Sequence, residues 1–423
     1  MNSFVLHGDI CFCPTPKRLL AIEDGYVVVR DGVTELCCGA LPDAAKELPL
    51  HDYRSKLVFP GMVDLHVHAP QYAFRGLGAD MELLEWLRHY AFPEEAKYGD
   101  LRYADKAYSM FTGALKNSAT TRAVIFGSLH HDATKLLMDK MEDSGVVSYV
   151  GKVNMDRNSP DNLCETTEES YRSAERIIRE TAGKYRNTKP ILTPRFVPSC
   201  TDELLNRLGR LAEKEDVPVQ SHLSENPEEI KWVARLCPDS RFYGEVYDKY
   251  GLFGSSTPTV MAHCVFSGDE EIALMKERGV YIAHCPASNM NVGSGIAPIS
   301  RYMREGLSVG LGSDIAGGQS ESIFTAMVEA MQLSRLYRRH IDGESTPLTF
   351  AQTLYMATKG GGQFFGKAGS FERGYEFDAI VIDDSTLPHP QPLTLAQRAE
   401  RAVWLSGDKT GLIAKYVRGN RIL

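Results

Sequence analysis

Strand-length apolar runs recur through the middle of the chain, each followed by a longer amphipathic stretch. The runs are LVFPGMVDLHVHA from Leu57, RAVIFGSLH from Arg122, VVSYVGKVNM from Val146, KPILTPRFVP from Lys189, VPVQSHLSE from Val217, PTVMAHCVFS from Pro258, VYIAHCPASN from Val280 and LSVGLGSDIAG from Leu307. Between them lie helix-length segments such as TDELLNRLGRLAEKED, DEEIALMKERG and ESIFTAMVEAMQLSRLYRRH. Strands that are apolar throughout, instead of alternating, belong to parallel sheets covered on both faces. Eight such units over roughly 300 residues predict an α/β chain folded as a (β/α)8 TIM-type barrel. A doubly wound sheet is the competing architecture, but the Gly-rich first turn of that fold, G-x-G-x-x-G, is missing.

The two ends read differently. FVLHGDICFC, GYVVVRDG and VTELCCGA near the N-terminus, and FERGYEFDAIVIDD and LIAKYVRGNRIL after Gly369, are short β-rich stretches between Gly and Asp punctuation. They predict a small β-sandwich built from both termini, with 1–58 and 369–423 flanking a barrel over 59–368.

Composition narrows the partners. The 423 residues carry 47 Lys and Arg against 55 Asp and Glu, a net charge of −8 with histidine neutral, and 43% of residues are hydrophobic. These proportions are those of an ordinary globular protein, and the acidic balance argues against nucleic acid, whose phosphates reward clustered Lys and Arg. Nine scattered cysteines without a C-x-x-C pair suggest reduced thiols. Neither a signal-peptide pattern at the start nor an uncharged apolar stretch of spanning length is found. The expectation is a cytoplasmic protein with no membrane partner.

Several runs end in ionisable residues: His66 and His68, Arg195, His222, His263, His284 and Asp314. In a barrel these ends form the active face, and a buried ionisable group is costly unless bonded or metallated. His66 and His68, two apart on a strand, leave the same face. Together with His222 and Asp314 they make three imidazoles and a carboxylate, a donor set suited to one Zn²⁺ with room for a water; ligand type alone leaves iron open. Glu225, three residues beyond His222, is either a helix-start carboxylate before Asn226-Pro227 or a proton shuttle beside a metal-activated water. For His89, His130, His131, His284, His340 and His389 a structural role is the better reading. GGGQFFGKA imitates a phosphate loop, but Ala368 stands where a Mg²⁺-binding hydroxyl is required. The H-x-E…P-C-x-x-C pattern of the cytidine-deaminase type of zinc enzyme is absent, as is H-E-x-x-H.

Taken together, PGMVDLHVHAPQY, SHLSEN, AHCVFS, AHCPASNMNVGSG and VGLGSDIAGG resemble the amidohydrolase superfamily over essentially the whole chain. HAPQY followed by LLEWL, with PRF, is similar to its guanine-deaminating branch. The resemblance implies hydrolytic release of ammonia from guanine, giving xanthine. It implies His66, His68, His222 and Asp314 as metal ligands, and Glu225, His263 and Asp314 as the groups that move protons and hold the intermediate. It places base recognition on Gln71, Arg195 and Phe196, with His222 also against the substrate, and it implies a homodimer. Arg195 stands where binuclear relatives carry a bridging lysine, which argues for a single metal. Deamination of another purine or pterin-like amidine, and a non-catalytic binding protein on the same fold, are the alternatives.

Overall fold

The computed structural model describes residues 3–423. The N-terminal stretches form β1 (Phe4–Thr15), β2 (Arg18–Arg30), β3 (Val33–Cys38) and β4 (Leu50–Pro60). The middle supplies β5 (Met62–His68), β6 (Thr120–Phe126), β7 (Val147–Gly151), β8 (Val153–Asn154), β9 (Thr188–Pro190), β10 (Thr193–Pro194) and β11 (Val219–Leu223). It continues with β12 (Thr259–His263), β13 (Tyr281–His284) and β14 (Ser308–Leu311), and the C-terminal segment adds β15 (Ala379–Ile382), β16 (Leu412–Val417) and β17 (Asn420–Arg421). Every apolar run contains a strand, but three runs are broken. The first is two strands, β4 and β5, parted where Pro60 has no N–H to give a ladder and Gly61 meets Thr121. A Cβ on Gly61 would lie 2.1 Å from Thr121 Oγ1. The third breaks at Lys152, whose buried Nζ donates to Val153 O at 3.0 Å and to Glu165 Oε2 at 2.6 Å, and the fourth divides into β9 and β10.

By compactness the chain forms two units. One contains the N-terminal residues up to Asp64 with Ala114–Arg122 and Glu321–Leu423; the other contains Leu65–Gly113 and Ala123–Ser320. In the first, strands from both termini share one seven-stranded sheet in the order β17-β16-β15-β4-β1-β2-β3. β1 lies antiparallel to β2 and parallel to β4, and β15 runs antiparallel to β4. The core on one face gathers Leu6, Ile10, Val27, Val29, Val58, Val381 and Tyr416. The helix Ile323–His340, capped by Ser322, groups with this unit.

An ion network is buried in the same unit. Arg122, 1% exposed, donates to Asp378 Oδ2 at 2.5 Å and to Glu376 Oε2 at 2.6 Å. Removing one member of such a network leaves an uncompensated buried charge, which costs about 3–5 kcal/mol. Arg122→Met is therefore expected to lower the thermal midpoint by several degrees in a melt followed by circular dichroism, with Asp378 stranded; an unchanged melt would show that the charges are solvated.

In the second unit the strands that hold the site are parallel. β11, β12, β13 and β14 are neighbours in that order, with Val219 opposite Thr259, Val260 opposite Tyr281 and Tyr281 opposite Ser308. A second sheet has the order β5-β6-β7-β9, and β8 pairs with β10. Connecting helices start and stop where their ends demand. Thr201 caps Asp202–Glu215 by accepting the Leu204 N–H, and Gly279, at φ +69°, closes Asp269–Arg278. No helix among the described residues is long and apolar enough to cross a membrane.

Candidate active site

Parallel strands bring the polar run ends together. His66 and His68, on one face of β5, are 2% and 3% exposed. His68 Nε2 lies 3.2 Å from His66 Nε2 and 3.2 Å from His222 Nε2, at the end of β11. Beyond β14, Asp314 Oδ1 lies 3.2 Å from His66 Nε2 and 3.5 Å from His68 Nε2. Donors held about 2.0–2.2 Å from a tetrahedral ion are about 3.3–3.6 Å apart, so these contacts have the size of such a polyhedron's edges.

Protonation agrees with ligation. The His222 Nδ1–H donates to Arg195 O at 2.6 Å; a carbonyl only accepts, so in the neutral ring Nε2 keeps a bare lone pair toward the cluster. Burial and then the neighbouring His66 hold His68 and His222 well below the ordinary histidine range. Burial alone would raise Asp314, but His66, His263 and His68 outweigh it and keep its carboxyl well below the usual range. The neutral imidazoles of His68 and His222 and the ionised carboxylate of Asp314 are the forms a divalent ion requires.

The backbone is bent to present these groups. Ser224, His263 and Asp314, at or just past the ends of β11, β12 and β14, have φ of 46°, 73° and 45°, a left-handed conformation unusual outside glycine and a common marker of functional sites. Gly312 allows the close approach behind Asp314: a Cβ there would lie 2.8 Å from Cys285 Sγ and 2.9 Å from His66 Cβ.

Glu225 and His263 stand beside the cluster. Glu225 Oε2 lies 3.4 Å from His263 Nε2, and Glu225 Oε1 accepts from Ser294 Oγ at 3.1 Å. Burial, then the Asp314 carboxylate, pushes Glu225 up to about 8. The helix-start duty that competes for this residue is filled by its neighbours. Asn226 accepts the Glu228 N–H at 2.9 Å, and Glu229 accepts the N–H groups of Glu225 and Asn226. His263 Nδ1 is held 2.9 Å from Asn289 Oδ1.

A cavity opens over these residues, with His68, His222, Glu225, His263 and Asp314 along one part and Leu83, Trp86, Leu87, Phe196 and Val292 along another. Gln71 and Arg195 also line it. Phe196 packs edge-on against Trp232, with centroids 6.1 Å apart. Gln71 is already engaged: its Nε2 donates to Glu95 Oε1 at 2.8 Å, and its Oε1 accepts the Ala316 N–H at 3.1 Å. One N–H and one lone pair remain for a ligand. His284 is buried but lies outside the groups able to hold an ion among the described residues.

This geometry has known counterparts. A model of the amidohydrolase family matches residues 57–410. The guanine deaminase of Dictyostelium discoideum is 38% identical, the match covering 88% of this chain and 83% of that protein. The chain belongs to the guanine deaminases of the amidohydrolase family. The Escherichia coli enzyme of that name is 34% identical over 96% of this chain and 92% of its own. Among solved structures, the guanine deaminase from C. acetobutylicum with guanine bound in its active site superposes with a TM-score of 0.97 at 46% identity, covering all of both chains. The mixed α/β fold of this chain is thus that of the amidohydrolases.

Two residues beside this site were given no role by the sequence motifs. Glu95 sits in LLEWLRHYAFPEE, of which only LLEWL carried the resemblance, and it is 3% exposed. Asn289, within AHCPASNMN, is fully buried. A polar residue following the β13 run was the signal available for it.

Proposed function

We propose that the chain hydrolyses guanine to xanthine and ammonia, with His66, His68, His222 and Asp314 holding one Zn²⁺. The observation that carries this reading is a cavity lined by His68, His222, Asp314 and Glu225 together with Arg195 and Gln71, with His66 in contact with His68 and Asp314. The relatives named for guanine deamination support it, and borderline donors of this kind favour zinc. When bound, such an ion lowers the pKa of a water to about 7.

The side chains divide the remaining work. Of the two protons that water brings, one ends on ring N3 and the other on the departing amine. Asp314 is placed to accept a proton from the attacking water. Glu225 protonates N3, which makes C2 electrophilic; as a carboxylate it then takes the proton of the new C2 hydroxyl and passes it to the amine as the C2–N bond breaks, and the proton held by Asp314 afterwards restores Glu225 to its acid form. His263, between the two carboxylates at 3.4 and 3.7 Å, holds the tetrahedral intermediate. Arg195 donates to the 6-carbonyl, Gln71 meets the purine edge with its remaining N–H and lone pair, and Phe196 offers a stacking face.

Incubation with guanine, followed by chromatography for xanthine and an ammonia assay, tests the reading. Both products are expected in equal amounts, lost after chelation and restored by zinc. Absence of both from metal-replete protein overturns it, and ammonia release from other purines or pterins in place of guanine would favour the alternative substrate.

We also infer that β5 to β14 close into a (β/α)8 barrel over 59–368. This is supported by the Leu192–Val219 bridge and by hydrogen bonds from Asp314 N to His66 O at 2.8 Å and from His68 N to Ile315 O at 3.2 Å. The shared terminal sheet supports one β-unit assembled from 1–58 and 369–423, which we read as a β-sandwich. The scattered cysteines and the family resemblance support a cytoplasmic homodimer, and the acidic charge supports a free base over a nucleic acid as its substrate.

A further inference from the structure

One carboxylate ties the proposed recognition residues together. Glu95 Oε1 accepts from Gln71 Nε2 at 2.8 Å and from Arg195 Nη2 at 3.0 Å, while Glu95 Oε2 accepts from Arg195 Nη1. All three residues are 3% exposed or less. Phe92, one turn earlier on the same helical segment, lies under the guanidinium, whose Cζ is 5.1 Å from the ring centroid. One helical turn therefore supplies both a face and a counter-charge for Arg195. A two-point carboxylate–guanidinium pair fixes the plane of the guanidinium, which a single contact does not.

The pairing also settles what remains on offer. Two of the five guanidinium N–H groups are spent on Glu95, which leaves three, held in a fixed plane on a side chain that lines the cavity. Because Glu95 neutralises the buried cation, a neutral base can enter without leaving a net charge uncompensated. We propose that Glu95 is a specificity-determining positioning residue, which locks Arg195 and Gln71 into one donor array selecting purines that carry a 6-carbonyl. This rests on guanine being the substrate.

The test is steady-state kinetics of Glu95→Gln, which preserves shape but replaces one acceptor with an N–H₂ facing donors. KM for guanine is expected to rise about 10–100-fold, the cost of a mispaired buried charge contact, with kcat changed less than about 3-fold and bound metal unchanged. In an Arg195→Gln background the same substitution should change KM far less, because Glu95 acts through Arg195. An unchanged KM, a loss confined to kcat, or additive effects in the double variant overturns the proposal. Should Glu95→Gln fail to fold, Glu95→Asp retains the charge and is expected to raise KM by a smaller factor; a normal KM there, or failure of both variants to fold, assigns Glu95 to stability and overturns it. Parent protein that yields no xanthine from guanine would sink the functional reading, whereas active parent with indifferent Glu95 variants sinks only this inference.

Discussion

Glu225→Gln should lower guanine turnover by about 10²–10⁴-fold, the usual contribution of a general acid or base, while metal content and guanine affinity stay near those of the parent. The substitution keeps the volume and leaves an oxygen to accept from Ser294, as Glu225 Oε1 does now at 3.1 Å. What disappears is the titratable proton. Burial and the Asp314 carboxylate raise Glu225 to about 8, which favours the acid form that can release a proton to a ring nitrogen of the base. Asn226 and Glu229 already satisfy the helix start, so the variant should not unfold that helix. Ammonia release measures the loss, atomic emission the metal, and equilibrium dialysis with labelled guanine the affinity. Turnover within a few-fold of the parent would mean that another group carries the proton.

The parts that were legible in the sequence are those fixed by burial on both faces. Parallel strands must be apolar throughout, so the few ionisable residues at their ends stand out, and His66, His68, His222 and Asp314 were visible for that reason. In the structure each lies within 3.2–3.5 Å of a neighbour. Other features depend on contacts between residues far apart in the chain. The division at Gly61 is set by Thr121, some sixty residues later, and no local periodicity reports it. The helix Leu395–Trp404, capped by Thr394, lies in a segment read only for its strands. Glu95 was hidden because helical spacing does not distinguish a carboxylate facing water from one facing a buried arginine a hundred positions away.

Asp314→Asn should be the more damaging change, because it withdraws an ion donor and a proton acceptor together. Its carboxylate stands against three imidazoles, with Oδ1 at 3.2 and 3.5 Å from His66 and His68 and Oδ2 3.7 Å from His263. An amide there is neutral, a poorer donor to a hard or borderline cation, and presents N–H groups where a lone pair is needed. Bound zinc in the purified variant is expected to fall well below one per chain, and turnover to fall by about 10⁴-fold or more. Titration with zinc separates the two roles. If Asp314 both binds and accepts the proton, excess zinc refills the site, as read by equilibrium dialysis, and turnover stays low. Full recovery of turnover on refilling would confine Asp314 to ligation and leave Glu225 as the sole proton carrier.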